Sequence, residues 1–343
     1  FSFYAYATMF ASSSTAARAG LSTTPLRRAA RARAPGPTRA ASGSVIPRPV
    51  SSDDATSSSS SRVLATPSSR PIVIAPGFGN DSLDYEHALG RGDASLVQSL
   101  TSRGFAVHVA RVERKDWFIG ILKSILTKGF WLNACTTTES YGWYLSRLDE
   151  AVNQALEANP DAREVDIVAH SAGGWLARAY IGGALALVTT PNAECSAAGL
   201  SRETRVRSLI SLGTPHIQDA KADPTRGASK WVNDTWPGTY FASDGVKYVC
   251  VAGRAVVGDV ASEKGSITRY ASGSYAVVAG GDGNGVCGDA VVPNSAALAL
   301  EGAENVLLDG VWHSMSTVGT FDAASSYPWY GSDDIVDSWL AKL

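Results

Sequence analysis

The side chains best arranged for chemistry gather around Ser171. Val165-Asp-Ile-Val-Ala-His-Ser-Ala-Gly-Gly174 is an apolar run that ends in a serine among small residues. The run has the length and branching of a buried strand, and 172–186 reads as a helix. A serine on such a strand-to-helix turn sits in a strained backbone, so the residues two before and two after it must be small. Ala169 and Gly173 satisfy this, in a G-x-S-x-G pattern whose first glycine is an alanine. The turn lifts the hydroxyl off the sheet to a helix N-terminus. There the Ala172 N–H and the helix dipole favour a developing oxyanion. The chemistry permitted is nucleophilic attack on a carbonyl. Against it stands a plain small-residue turn with an idle serine.

Attack needs a second oxyanion donor, a base and an acid. Ile72-Val-Ile-Ala-Pro-Gly-Phe-Gly-Asn80 is a short apolar run entering a Gly-rich turn. Gly77 lets the backbone pass close to a substrate, and the N–H of Phe78 is the expected second donor. The histidines are His87, His108, His170, His216 and His313. On this kind of turn the acid and then the histidine follow the serine in the chain, which leaves His216 and His313. His313, after the apolar stretch Val306-Leu-Leu-Asp-Gly-Val-Trp312, is the preferred base. His216, in Leu212-Gly-Thr-Pro-His216, is the alternative and otherwise lines the site. His170 reads as a hydrogen-bonded structural residue beside the nucleophile; His87 and His108 read as structural or surface. The preferred acid is Asp289 in Gly288-Asp-Ala-Val-Val-Pro293, ahead of Asp282 in Gly280-Gly-Asp-Gly-Asn-Gly285, with Asp259 and Asp309 behind. A carboxylate at Asp289 would fix the His313 tautomer and stabilise its imidazolium. The loop around Asp282 resembles a calcium loop but holds too few acids for one. This chemistry calls for no metal and no cofactor.

Alternating strand and helix signals position these residues. Strands are predicted over 71–75, 105–112, 165–169, 206–212, 247–252 and 306–308. A helix over 94–102 is closed by Gly104. Another covers 140–158, where Tyr141, Tyr144, Leu145, Leu148, Val152 and Leu156 share one face. Ser332 is expected to cap a last helix, with Asp333 and Asp334 in its first turn. Strands separated by helices imply an α/β fold, a mostly parallel central sheet with helices on both faces. There is no internal repeat.

Six segments occur in order: Ala75-Pro-Gly-Phe-Gly-Asn80, Ala169-His-Ser-Ala-Gly-Gly-Trp-Leu-Ala-Arg178, Leu212-Gly-Thr-Pro-His216, Gly288-Asp-Ala-Val-Val-Pro293, Asp309-Gly-Val-Trp-His-Ser314 and Pro328-Trp-Tyr-Gly331. Together they resemble the α/β-hydrolase superfamily, most nearly its lipase-like branch with the GPI inositol-deacylase-like and plant plastid hydrolases. The resemblance runs over 70–343. It implies an α/β-hydrolase fold with a small cap or lid insertion, and Ser171, His313 and Asp289 as nucleophile, base and acid. It implies hydrolysis of a carboxylic ester, of lipid or another apolar alcohol, through an acyl-enzyme. An acyltransferase using the same triad, GPI-anchor deacylation and a non-enzymatic binding protein of hydrolase type are the alternatives. Ala169 is one departure from the family pattern. Pro76 is another, standing where a histidine often precedes the oxyanion glycine, so a hydrogen bond that stiffens that loop is expected to be missing.

Composition bounds the rest. Of 343 residues 45% are apolar and 18% charged, enough for a buried core. Residues 1–52 hold seven arginines and no acid, which leaves 23 basic against 32 acidic residues in the remainder, a net of −9. So acidic a body argues against a nucleic-acid surface. Segment 1–69, rich in Arg and Ser, cannot bury a core and reads as a transit peptide, plastid in preference to mitochondrial, with translation starting at Met9. No apolar run is long enough to span a bilayer. Cys135, Cys195, Cys250 and Cys287 lack zinc spacing and read as free buried thiols. Within 115–135, Phe118, Ile121, Leu122, Ile125 and Leu126 form a stripe interspersed with Lys115, Lys123 and Lys128. The stripe suits a lid in peripheral contact with lipid, or a core helix. No obligate partner is evident.

Overall fold

The apolar runs pair side by side as strands of one parallel sheet. The computed structural model describes residues 70–87, 95–189, 199–218, 223–314 and 327–343. The Arg-rich segment 1–69, with its transit-peptide reading and Met9 start, lies outside the described residues, as do position 94 and Cys195. In chain order the first elements are β1 (Ile72–Ala75), α1 (Leu83–Glu86), α2 (Leu96–Ser102), β2 (Val107–Val109), α3 (Arg114–Ser124), α4 (Lys128–Leu132) and α5 (Thr137–Ala158). Next come β3 (Val165–His170), α6 (Ala172–Ile181), α7 (Leu185–Thr189), β4 (Val206–Leu212), α8 (Ala228–Thr235), β5 (Lys247–Arg254) and β6 (Val256–Val257). The last are α9 (Ile267–Ala279), β7 (Cys287–Gly288), α10 (Asn294–Ala297), β8 (Glu304–Asp309) and α11 (Asp333–Leu340).

The main sheet runs β2-β1-β3-β4-β5-β8, with every neighbouring pair parallel. β6 and β7 form a separate antiparallel pair. The strand order reverses between β1 and β3, and it is beyond the carboxyl ends of strands at such a reversal that open parallel sheets bind ligands. Ala75 and Ala169 are paired there, which sets the turn after β1 beside Ser171.

Alternation along β1 sends its side chains to two cores. Val73 and Ala75 join Ile167, Ala169 and Leu209 against Tyr144, Leu145, Leu148 and Val152 of α5 and Trp175 of α6. Ile72 and Ile74 join Val168 and Ile210 against Leu96 and Leu100 of α2 and Trp339 of α11. Helices therefore cover both faces. Arg103 ties the second layer together, its guanidinium reaching Asp333 and Asp337 of α11.

Several boundaries differ from expectation, each for a local reason. α5 begins at Thr137 because Thr136 and Glu139 form a capping box ahead of it. The helix predicted over 172–186 stops at Ile181, since Gly183 takes a left-handed φ of 82° and α7 follows as a separate turn. The strand predicted over 105–112 is ladder-paired only at Val107–Val109. β5 and β8 run longer than predicted because they pair with each other as far as Arg254 and Asp309. Ser332 does not cap α11 with its side chain; its hydroxyl accepts the Trp329 N–H instead. Cys135 and Cys250 are free and buried, whereas the free Cys287 is only half-buried.

The 115–135 insertion is two helices, not one stripe. Ile121 and Ile125 pack against the first core, and Trp117 is buried. Phe118, Ile119, Leu122, Leu126, Trp131 and Leu132 face outward, with Leu126 at 89% exposure. The segment is thus half core and half exposed apolar surface.

One charge lies inside the sheet. Asp166 of β3 is fully buried, 3.0 Å from the Arg70 guanidinium and 2.7 Å from the Ser208 hydroxyl. Removing one member of a buried pair leaves the other charge stranded. Arg70→Met is expected to lower the unfolding free energy by about 3 kcal/mol, and Asp166→Asn by less, because Arg70 can turn to water. Urea titrations of both variants test this order.

Candidate active site

Ser171 sits at φ 53° and ψ −128°, a conformation that non-glycine residues seldom adopt. Its backbone is fixed from both sides: its N–H donates to Leu212 O at 2.8 Å, and its carbonyl accepts from the Thr214 hydroxyl at 2.8 Å. The turn is tight enough that a Cβ on Gly173 would lie 2.3 Å from the Ala75 carbonyl oxygen. Ala172 begins α6, where a first-turn N–H has no intrahelical partner. This strand–serine–helix turn, after the reversal in strand order, makes the architecture an α/β-hydrolase fold.

The turn after β1 passes directly over the serine. A Cβ on Gly77 would lie 2.8 Å from that of Ser171. The Gly77 N–H is taken by the Tyr85 hydroxyl at 2.9 Å, and the Pro76 carbonyl by the Tyr144 hydroxyl at 2.7 Å. Trp117 Nε1–H holds the Asn80 carbonyl at 3.0 Å, and its ring meets that of Phe78 edge-on at 5.1 Å. The stiffening expected to be lost with Pro76 is therefore supplied by two buried tyrosines and a tryptophan. Phe78, the expected second oxyanion donor, stands between Gly77 and Gly79 on this loop.

Asp289 and His313 come together although 24 residues apart. His313 Nδ1 lies 2.8 Å from Asp289 Oδ2. The same oxygen accepts the Tyr330 hydroxyl at 2.7 Å, and Oδ1 accepts the N–H groups of Val291 and Val292 at 3.0 and 2.7 Å. Ala290 takes a left-handed φ of 84° between them, with its own N–H on the Tyr275 hydroxyl. Asp289 is wholly buried, which alone would raise its pKa. The charge and N–H of His313, the Val292 N–H and the Tyr330 hydroxyl outweigh burial and hold the carboxyl below its usual range. An ionised carboxylate cannot donate, so the proton between them sits on Nδ1; in the neutral imidazole that leaves Nε2 as the acceptor. The His313 ring lies against that of His170, the residue before the serine, with centroids 4.6 Å apart.

The other candidates lie elsewhere. His216 is buried with Nε2 near the Ser211 hydroxyl and the Cys250 thiol, at 3.2 and 3.4 Å. Its Nδ1 has no hydrogen-bond partner among the described residues. Its ring thus meets side chains of β4 and β5. His87 is exposed and His108 half-buried on β2. Asp282 turns back onto the Asn284 N–H, Asp259 onto Ser262, and Asp309 pairs with Arg254. Sequence reasoning missed Tyr85, Thr214, Tyr275 and Tyr330. Thr214 and Tyr330 stood in segments already singled out, without a role. Among the described residues no cluster of three or more His, Cys, Asp or Glu side chains could hold a metal ion, and no helix is long and apolar enough to cross a membrane.

No protein-family model matches the chain, and no curated protein matches it in sequence. Solved structures that resemble it include a lipase of Staphylococcus hyicus, 11% identical, with a TM-score of 0.49 over 81% of this chain and 97% of that one. The mature lipase of Bacillus licheniformis is 16% identical, with a TM-score of 0.40 over 73% and 86%. Lipase 1 of Pelosinus fermentans is 14% identical, with a TM-score of 0.41 over 80% and 99%.

Two buried histidines give the fold a definite response to acid. Burial, aided by the neighbouring His313, lowers His170 to about 3, and burial followed by the Arg178 charge depresses His216 strongly. Unfolding returns both to about 6.5, so the unfolded chain binds the extra protons. Stability is expected to be full above about pH 6.5 and to fall on acidification by about 1.4 kcal/mol per pH unit for each histidine. Asp289, depressed in the fold, adds to the loss only from about pH 4 downward. Urea unfolding at pH 7, 6 and 5 measures the slope, and His216→Leu should reduce it by at most half, since burial also lowers His108. An unchanged slope in that variant means that the His216 imidazole is charged in the fold.

Proposed function

We propose that the chain is a serine hydrolase that cleaves carboxylic esters of apolar substrates, with Ser171 as nucleophile, His313 as base and Asp289 as acid. The observation that carries this reading is the buried Asp289–His313 pair beside a serine of strained backbone. His313 Nε2 takes the hydroxyl proton as Ser171 Oγ bonds to the substrate carbonyl carbon. The oxyanion rests on the N–H groups of Ala172 and Phe78. Its collapse breaks the ester C–O bond, and the alcohol leaves with the proton from His313. Water then repeats the sequence on the acyl-enzyme and returns the free acid.

The apolar character of the substrate is supported by the outward face of α3 and α4. Exposing several large side chains in one patch is unfavourable by roughly 25 cal/mol per Å². Lys123 and Lys128 are exposed within the same patch, as in helices that lie on a lipid surface. The inner side of α3 meets the oxyanion loop through Trp117.

Ser171→Ala is expected to abolish ester hydrolysis and covalent labelling by a fluorophosphonate while leaving the melting temperature close to that of the wild type. His313→Ala should be as damaging and Asp289→Asn somewhat less so, because the three act as a unit. Retention of more than about one percent of activity by Ser171→Ala removes the serine from the mechanism. For the apolar face, hydrolysis should rise once substrate passes its aggregation threshold. Leu122→Ser with Leu126→Ser should remove that rise, spare a soluble short-chain ester and leave the melting temperature almost unchanged. A steep fall in melting temperature with both substrates affected alike makes the face part of the core.

A further inference from the structure

Tyr85 and His170 take no direct part in this scheme, yet they fill the space between its two halves. A tyrosine hydroxyl has one hydrogen to donate. That of Tyr85 accepts from the Gly77 N–H at 2.9 Å and from the Asn80 side-chain amide at 2.8 Å. Its hydrogen is left for Nδ1 of His170, 2.8 Å away. Nδ1 is then an acceptor, and the ring proton must sit on Nε2. Nε2 lies 2.9 Å from the backbone oxygen of His313. The opposite tautomer fails at both ends. It would set an N–H against a hydroxyl already holding two donors, and a bare nitrogen against a carbonyl oxygen.

His313 is thus gripped at three points. Asp289 Oδ2 meets its Nδ1, the Asp289 carbonyl accepts its backbone N–H at 2.9 Å, and His170 holds its backbone oxygen. Only the last grip leads back to the oxyanion loop. Tyr85 and His170 are both buried, so water cannot substitute for either link without opening the core. The low pKa of His170 keeps its ring neutral next to a base that becomes cationic in turnover.

We propose that Tyr85 and His170 are positioning residues, locking the oxyanion loop and the His313 loop to each other across Ser171 through the Nε2–H tautomer of His170. The kinetic consequence rests on the serine-hydrolase reading; the tautomer does not. Loss of the lock misplaces the base relative to the oxyanion donors, and misplacement of about 1 Å lowers rates by up to about a hundredfold.

The test uses the full chain labelled with ¹⁵N-histidine, with the His170 ring signals identified by their loss in His170→Gln. The expected wild-type spectrum has a protonated Nε2 and a bare Nδ1 at His170. Tyr85→Phe, which removes the donor without emptying the space, should populate the other tautomer. It should also lower kcat on a soluble p-nitrophenyl ester by about ten- to a hundredfold, with KM within about twofold. His170→Gln, whose amide can still donate to the His313 carbonyl, should retain more activity than His170→Leu. A wild-type His170 protonated on Nδ1 overturns the proposal, and so does a folded Tyr85→Phe with unchanged tautomer and kcat. If Tyr85→Phe fails to fold, the wild-type tautomer still decides. Absence of fluorophosphonate labelling at wild-type Ser171 would sink the hydrolase reading alone, since the ring signals are read without turnover.

Discussion

A carboxylate sealed from water must recover inside the protein the hydrogen bonds it gives up. Asp289 recovers them from three stretches of chain: the N–H groups just after it, the imidazole of His313 and the hydroxyl of Tyr330. Much of the carboxyl end of the sheet is shaped around this requirement. Ala290 is bent into a left-handed conformation so that the two following N–H groups turn back onto Oδ1. Tyr330, itself gripped by the Gly253 N–H at 2.7 Å, fixes the approach of the segment before α11. The carboxylate in turn assigns the proton on His313. Removal of any one donor would leave a buried negative charge short of partners, a more severe loss than an ordinary hydrogen bond.

A second constraint is backbone strain, and it is met differently. Ser171 holds an unfavourable φ,ψ because bonds to Leu212 and Thr214 fix both its N–H and its carbonyl. Such a conformation costs on the order of 1–3 kcal/mol, and the fully buried helix α6 behind it offsets that cost. The turn after β1 is brought over the serine by the reversal of strand order and pinned there by Tyr85, Tyr144 and Trp117. Strain thus sits at the end of β3, and the buried carboxylate beside Gly213 and Gly253 at the ends of β4 and β5.

What was legible in the sequence was what is decided locally or by chain order. The strand, serine and small residues of 165–174 lie next to one another, and sterics alone demand Ala169 and Gly173. That an acid and a histidine should follow the serine narrowed five histidines to two. What escaped depends on contacts between distant residues. Tyr85 meets His170 across 85 positions, and Tyr330 meets Asp289 across 41; an aromatic residue in an apolar run gives no sign of where its hydroxyl will point. The end of α6 was unreadable for a related reason, because nothing in the spacing shows that Gly183 will take its left-handed φ. Helical spacing grouped Phe118, Ile121, Leu122, Ile125 and Leu126 into a single stripe. It could not show that Ile121 and Ile125 would be covered while Leu122 and Leu126 stayed bare, because what covers a face belongs to the partner element.

The wide separation of these parts along the chain bears on the order in which they form. The serine turn is complete once β1, β3 and β4 have paired, with residues no later than Thr214. The carboxylate and imidazole settle only when segments as late as Tyr330 have docked. During synthesis, then, the Ser171 turn emerges before the segments that carry Asp289, His313 and Tyr330. On the serine-hydrolase reading proposed above, reactivity would be acquired only once the segment around Tyr330 has docked onto Asp289.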